Sequence, residues 1–507
     1  MNKRIVFYTI GFILLIEAVL MMLPLVVSVI YREAAGRNAF LISALISAAA
    51  GGLMIMKKPK KTRIFAREGF AIVALAWIML SVFGCLPFVI SGEIPNFIDA
   101  FFETVSGFTT TGSSILTDVE AMSHSLVFWR SFTHWVGGMG VLVFVMIIVP
   151  LGGESNMHLL RAETPGPTAG KLVPRMRDTA KILYGIYLVM TVVEVVLLCC
   201  GGMSLFDSLI NSFGSAGTGG FSNWGDSIGH YNSEFFEVVI GVFMLLFGVN
   251  FSLYYLLLLK RVKAVFKSEE LRWYLGIIAF ATITIAVNIE HIYGSFHQAL
   301  RYSFFQVSSI ITTTGYSSAD FNQWPQYAKT ILVMLMICGA CAGSTGGGLK
   351  VSRVLILFRT ARRGLKRLIH SHSVEAVRFE RKGLEEGTIS NCGVYLIVYC
   401  MIAIGSLVVI SIDNFSYETN VTAMLSCLNN IGPGLGTVGP MGNFAGYSWL
   451  SKLVLSFDML AGRLELYPIL LLFAPSIWRQ GPYSRRGRKR TARRRIKKAG
   501  RVMHEEA

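Results

Sequence analysis

Charge is scarce in this chain. Of its 507 residues only 15% are Asp, Glu, Lys or Arg, whereas 53% are hydrophobic, a balance that excludes a water-soluble protein of this size and points to a polytopic membrane protein. Acid is scarcer than base. The 30 acidic and 47 basic residues leave a formal charge of +17, but 12 of the bases fall between Arg479 and Arg501, a stretch without a single acid. The excess is regional, and no nucleic-acid partner follows from it. Cysteine is sparse and unpaired in pattern: Cys85, Cys199, Cys200, Cys392, Cys400 and Cys427 sit in apolar stretches as small core residues. Cys338 and Cys341 form a C-x-x-C without a second Cys or His pair at zinc-finger spacing. No convergent nucleophile, base or metal ligands are visible, so an enzyme is not expected, nor a tightly bound cofactor. The apolar run from Met1-Asn2-Lys3-Arg4 to about Ile30 lacks a small-residue cleavage site and reads as a retained first helix.

A spanning helix needs about 20 mainly apolar residues. That rule gives ten candidates, near 5–30, 39–56, 69–90, 125–150, 180–201, 235–259, 273–290, 328–358, 390–412 and 449–475. The basic clusters Lys57 to Arg63, Lys260 to Lys263, Arg359 to Lys382 and the tail follow every second span, while Asp99, Asp118, Glu120, Asp207, Asp226, Asp320, Asp413 and Glu418 lie in the intervening segments. Arg32 and Arg37 are mild exceptions. The positive-inside bias places both termini in the cytoplasm.

An internal repeat follows the third, fifth, seventh and ninth spans. Each is succeeded by a shorter apolar segment, at Asp99 to Gly112, Asp207 to Gly220, about Tyr302 to Gly315 and about Thr419 to Gly432. Six residues before each final glycine stands a small residue: Ser106, Gly214, Ser309 and Ser426. The unit is helix, half-helix, glycine-ended strand, helix. The expected fold is therefore an all-α polytopic membrane protein of about ten helices, with an N-terminal pair over 1–67 and pore repeats over 68–178, 179–270, 271–388 and 389–478. A basic tail over 479–507 completes it. The third repeat is expected to have an interrupted second helix.

Irregular backbone at membrane depth is tolerated only where it is buried or lines a watery cavity, so the four loops should converge on one axis as a pore. Carbonyl oxygens of such strands can replace the hydration shell of a monovalent cation, and the half-helices aim their partially negative C-terminal ends at the same place. The expected filter consists of Thr110, Thr111 and Gly112; Thr218, Gly219 and Gly220; Thr313, Thr314 and Gly315; and Asn430, Ile431 and Gly432. Gly436 is an alternative to Gly432, which the serine register favours.

The stretch Cys338 to Lys350 interrupts what would otherwise be one long helix, and each glycine there costs about 1 kcal/mol relative to alanine. A nucleotide-binding loop is excluded by Leu349 between Gly348 and Lys350 and by the membrane setting. Close helix packing is one reading. The other is an intramembrane gate built from Gly343, Ser344, Thr345, Gly346, Gly347, Gly348 and Lys350, with Arg463 facing the same cavity. Arg463 sits near the middle of the last span, roughly 20 Å from either end at 1.5 Å per residue, so it needs a polar setting or a pair with Asp458 or Glu465. His134 reads as a hydrogen-bonded structural residue, and His370 and His372 as solvated.

Val105-Ser106-Gly107-Phe108-Thr109-Thr110-Thr111-Gly112, Thr218-Gly219-Gly220-Phe221-Ser222, Ile311-Thr312-Thr313-Thr314-Gly315-Tyr316 and Asn429-Asn430-Ile431-Gly432-Pro433-Gly434-Leu435-Gly436 resemble the Trk/Ktr/HKT superfamily of potassium transport proteins. The extra N-terminal pair is similar to its TrkH-type bacterial membrane subunits. The second loop departs from the family pattern, with Thr218 where a larger apolar residue is usual. The resemblance implies potassium uptake through a selective pore in the bacterial inner membrane, with potassium as the transported ion. It further implies a homodimer and a cytoplasmic nucleotide-binding regulatory subunit of TrkA type, with membrane lipid as a second partner of the basic surface. The alternatives are a symporter obligatorily coupled to protons or sodium, or a less selective potassium/sodium pathway. Coupling would call for carboxylates within the spans, for which Glu17, Glu194, Glu237 and Asp458 are the candidates.

Overall fold

A computed structural model describes residues 2–56, 58–59, 66–140, 176–370 and 375–478. The basic tail, His372, the second half of the expected span 125–150 and most of the cluster Lys57 to Arg63 lie outside these residues. The described chain is helical apart from one antiparallel pair of two-residue strands, Arg378–Phe379 and Lys382–Gly383.

Among the described residues six segments are long and apolar enough to cross a bilayer: Lys3–Ile30, Ala34–Ile55, Arg67–Ser91, Ala180–Cys200, Glu269–Tyr293 and Glu386–Asp413. The first two form the N-terminal pair, packed so closely at Gly11 and Gly51 that a Cβ on Gly11 would lie 2.8 Å from the Gly51 carbonyl oxygen. Glu33, between them, fastens the pair to the rest by accepting bonds from the backbone N–H groups of His124 (2.7 Å) and Ser125 (3.0 Å) at the start of helix His124–Gly138. The other four open the four units expected from the sequence. Their outer faces carry exposed Phe280, Ile283, Val287, Met401, Ile404 and Val408, an apolar surface suited to lipid chains.

Each of these four helices is followed by a short one: Phe97–Phe108, Leu205–Gly217, Phe296–Ile311 and Tyr417–Asn429, of 12, 13, 16 and 13 residues. At about 1.5 Å per residue none reaches across a hydrocarbon core of about 30 Å. Three start on side-chain caps, Asn96, Ser204 and Ser416, which accept from the N–H groups of Ile98, Asp207 and Thr419.

The second helices of the second and fourth units depart from the sequence reading. An interruption was expected only over 339–350, where Gln326–Cys338 indeed ends before Val351–Ile369 begins. The expected continuous span 235–259 is instead two helices, Glu234–Phe247 and Phe251–Leu258, that meet at 91°. Asn250 caps the second by accepting from Ser252 N at 2.9 Å. The expected span 449–475 likewise divides into Trp449–Arg463 and Tyr467–Phe473, with Glu465 and Leu466 left-handed at φ 58° and 63°. The backbone groups freed at the 248–251 bend find partners in the third unit: Cys341 N donates to Gly248 O and Phe251 N to Gly343 O, both at 3.1 Å. Tertiary hydrogen bonding thus overrides the apolar run that suggested one span.

Candidate functional site

Behind each short helix the chain turns into a strand by the same backbone route. Thr110, Thr218, Thr313 and Asn430 are left-handed at φ 55°, 56°, 60° and 56°, and two residues on Gly112, Gly220, Gly315 and Gly432 have φ 84°, 75°, 86° and 105°. The residue between them folds back onto its helix: Thr111 N donates to Ser106 O, Gly219 N to Gly214 O, Thr314 N to Ser309 O and Ile431 N to Ser426 O, all within 2.8–2.9 Å. Glycine replaces serine in the second copy for a packing reason, since a Cβ on Gly214 would lie 2.0 Å from the Tyr316 hydroxyl. That hydroxyl donates to Asn211 O at 3.0 Å and so ties the third strand to the second half-helix.

The four glycines then close a ring. A Cβ on Gly112 would meet the carbonyl oxygen of Gly219 at 2.0 Å, on Gly220 that of Thr314 at 2.0 Å, on Gly315 that of Ile431 at 2.0 Å, and on Gly432 that of Thr111 at 2.8 Å. Each strand presses its glycine against the carbonyl preceding the next strand's glycine, in the order one, two, three, four and back to one. Eight of the twelve residues named from the sequence meet in these contacts, and the other four, Thr110, Thr218, Thr313 and Asn430, are the left-handed residues that lead into them. Gly436 stands apart, with Thr419 as its near neighbour. In the first and third strands a threonine pair backs the carbonyls, Thr109 with Thr111 and Thr312 with Thr314, each Oγ1 to Oγ1 at 2.8 Å. The second and fourth have Gly219 and Ile431 there instead, and Asn430 of the fourth reaches to Thr111 Oγ1 at 2.9 Å.

A cavity of about 390 Å³ is lined by all four glycines and by residues that follow them, Ser114, Ser222 and Ser317 among them. Loop 339–350 lies at the opposite end of the strands. Gly347 N donates to Thr313 Oγ1 at 2.6 Å, and a Cβ on Gly347 would sit 2.2 Å from Asn429 O. The loop bonds to the second and fourth units as well as to its own: Thr345 Oγ1 donates to Phe247 O at 3.2 Å, and Arg463, which donates to Thr345 O at 2.6 Å, also reaches the first unit at Gly138 O (2.7 Å) and Gly137 O. Lys350 donates to Gly346 O within the loop itself. Neither acid weighed as a partner for Arg463 is devoted to it: Asp458 accepts from Ser406 at 2.6 Å and Glu465 pairs with Arg353.

Two residues near the ring escaped the sequence reading, and a third, His134, is hydrogen-bonded as expected. Glu103 and Arg130 form an ion pair with side chains 0% and 3% exposed. Glu103 accepts from Ser114 Oγ and Ile115 N, and Arg130 donates to Ser222 O at 2.9 Å and stacks over Phe221, so the pair holds the ends of the first two strands. A second acid in the half-helix, beyond Asp99 of its first turn, and a base in an expected span were the available signal. His134 carries a second brace: its Nδ1 bonds Gly107 O at 2.7 Å and its Nε2 accepts from Phe221 N at 3.2 Å. Breaking the buried pair by Arg130→Ala leaves Glu103 uncompensated and is expected to cost about 3–5 kcal/mol, seen as a large fall in the thermal midpoint of the purified protein. Glu103→Gln, which leaves an acceptor, should cost less.

A ring of backbone carbonyls enclosed by helices and reached from one side by a cavity defines a membrane protein with a single-chain ion pore. Comparison with known proteins agrees. The family model described as "TrkH: Cation transport protein" matches residues 36–480. The potassium uptake protein TrkH of the Trk system of Salmonella typhimurium is 37% identical over 490 residues, covering 95% of this chain and 100% of that protein, and TrkH of Halomonas elongata is 32% identical over 488 residues, with coverage of 95% and 100%. The crystal structure of the potassium transporter TrkH from Vibrio parahaemolyticus superimposes with a TM-score of 0.85 at 31% identity, over 94% of this chain and 100% of that one. The chain belongs to the TrkH family of cation transport proteins. It is a multi-pass membrane transport protein and not an enzyme.

Proposed function

We propose that the chain takes up potassium through the carbonyl ring, with Gly112, Gly220, Gly315 and Gly432 at its four corners, and that loop 339–350 with Arg463 is the gate beneath it. One observation carries the reading: four glycines, each pressed against the carbonyl of the next strand, arrange backbone oxygens around one axis where a side chain would close the gap. A dehydrated monovalent cation exchanges its water shell for such oxygens. The names of the TrkH relatives support potassium as that cation. The membrane is then the bacterial inner membrane with both termini cytoplasmic, and the chain works as a homodimer under a nucleotide-binding regulatory subunit of TrkA type. The basic segment Arg359 to Lys382 suits that subunit. The tail from Arg479 suits anionic lipid, since each basic residue near such a leaflet contributes about 1 kcal/mol.

Rubidium uptake into proteoliposomes, with the membrane potential clamped and the proton and sodium gradients set independently, tests the function. Uptake is expected to follow the rubidium gradient and the potential alone. A dependence on either other gradient would replace the pore by a coupled symporter.

A further inference from the structure

Loop 339–350 has two shoulders, and one oxygen holds both. Ala342 N on the way in and Ser352 N on the way out donate to Oε1 of Glu270, at 2.8 and 3.2 Å. Glu270 is 6% exposed and stands in the first turn of helix Glu269–Tyr293. Its helix start is held in turn by the hairpin of strands Arg378–Phe379 and Lys382–Gly383. Glu380, in the hairpin turn, accepts from Ser268 Oγ at 2.8 Å, Glu269 N at 2.9 Å and Glu270 N at 3.2 Å. Glu269 returns the contact by accepting from Glu380 N at 3.2 Å, and it pairs with Arg359. A cavity of about 420 Å³ is lined both by Glu270, Ala342 and Ser352 and by Glu380 and Arg381, so the space beside the loop reaches the hairpin.

We propose that Glu270 is the positioning residue that fixes both ends of the gate loop in its blocking place, and that the hairpin at Glu380 and Arg381 is the handle by which a cytoplasmic displacement reaches it. The proposal rests on the reading of 339–350 as the gate. The chemistry favours a single acid here: a carboxylate oxygen accepts two backbone N–H groups at once with charge-assisted strength, and while Cys341, Thr345, Gly347, Leu349 and Val351 donate to carbonyls or to Thr313, the amides of Ala342 and Ser352 donate to Glu270. Moving the helix start would release both shoulders together, whereas a bond to one shoulder would let the loop swing on the other. Hairpin residues Arg378, Arg381, Lys382 and Gly383 are exposed, which leaves the handle open to a partner.

Rubidium uptake without any regulator, and amide hydrogen exchange at Ala342 and Ser352, test this in the full-length protein. Glu270→Ala is expected to raise uptake roughly tenfold and to speed exchange at both amides, while exchange at Thr111 and Thr314 stays as in the parent. Glu270→Gln retains an acceptor oxygen and should fall between parent and alanine variant. Glu68→Gln, a similarly buried acid that accepts from Asn2 N at the start of the first unit, controls for general loosening and should leave uptake unchanged. In a chain lacking residues 343–347, Glu270→Ala should add nothing. Parent-level uptake by a folded Glu270→Ala variant, when the loop deletion does raise uptake, overturns the positioning role and spares the gate; a deletion without effect overturns the gate itself. Glu380→Ala should speed exchange at Ala342 and Ser352, and unchanged exchange there would remove the hairpin from the proposal.

Discussion

Deleting residues 343–347 is expected to raise regulator-free rubidium uptake by roughly tenfold or more, the scale of a coupling worth a few kcal/mol. The loop is held beneath the ring by Thr345 to Phe247, by Arg463 to Thr345 and by Gly347 to Thr313, and the deletion removes the loop side of all three. Arg463→Ala removes only the second, together with the bonds to Gly137 and Gly138, and should raise uptake more modestly. Selectivity should change little, because each strand is fixed by its own half-helix through the bonds from Thr111, Gly219, Thr314 and Ile431. The contact from Gly347 to Thr313 does make the third strand the place where a small change would register. Uptake at or below the parent level in a folded deletion variant would leave close helix packing as the account of these glycines.

Replacing Gly112 by serine is expected to lower the potassium-to-sodium permeability ratio roughly tenfold, because the left-handed backbone alone costs on the order of 1–3 kcal/mol for a residue with a side chain. The new Cβ would also lie 2.0 Å from Gly219 O, so two of the four strands must move apart, and carbonyls set for one ionic radius no longer are. The four positions are not equivalent. Alanine at Gly112, Gly220 or Gly315 faces an oxygen at 2.0 Å, whereas at Gly432 the oxygen is 2.8 Å away, so the fourth replacement should be the mildest. Reversal potentials with potassium and sodium on opposite sides of the membrane give the ratio for each variant, and an unchanged ratio for Gly112→Ser would remove these glycines from the filter.

The repeat was legible because its signal is periodic. A glycine six residues after Ser106, Gly214, Ser309 and Ser426 reflects a backbone requirement imposed four times, and only the second copy needed the structure, through Tyr316, to explain its departure from serine. The helix breaks were legible only where composition advertised them, as over 339–350. At 248–250 the chain reads Gly-Val-Asn, too little to mark a 91° bend, because its partners Cys341 and Gly343 are distant; at 464–466 the backbone bonds are local, from Glu465 N to Gly462 O and from Leu466 N to Ala461 O, and Pro468 was the available signal. Charges show the same limit. Glu17, Glu194, Glu237 and Asp458 drew notice by lying within apolar runs, but Glu270 sits at a helix start beside Glu269, and its importance depends on Ala342 and Ser352, some 70 to 80 residues away.

The side chains around the ring have a lower symmetry than its backbone. Strands one and three each carry a threonine pair, the Gly432 carbonyl of the fourth accepts from Ser113 and Ser426, and the second is braced where Phe221 N donates to His134. Four identical subunits could not set such unequal braces without breaking their symmetry, whereas a single chain can write each one into its sequence.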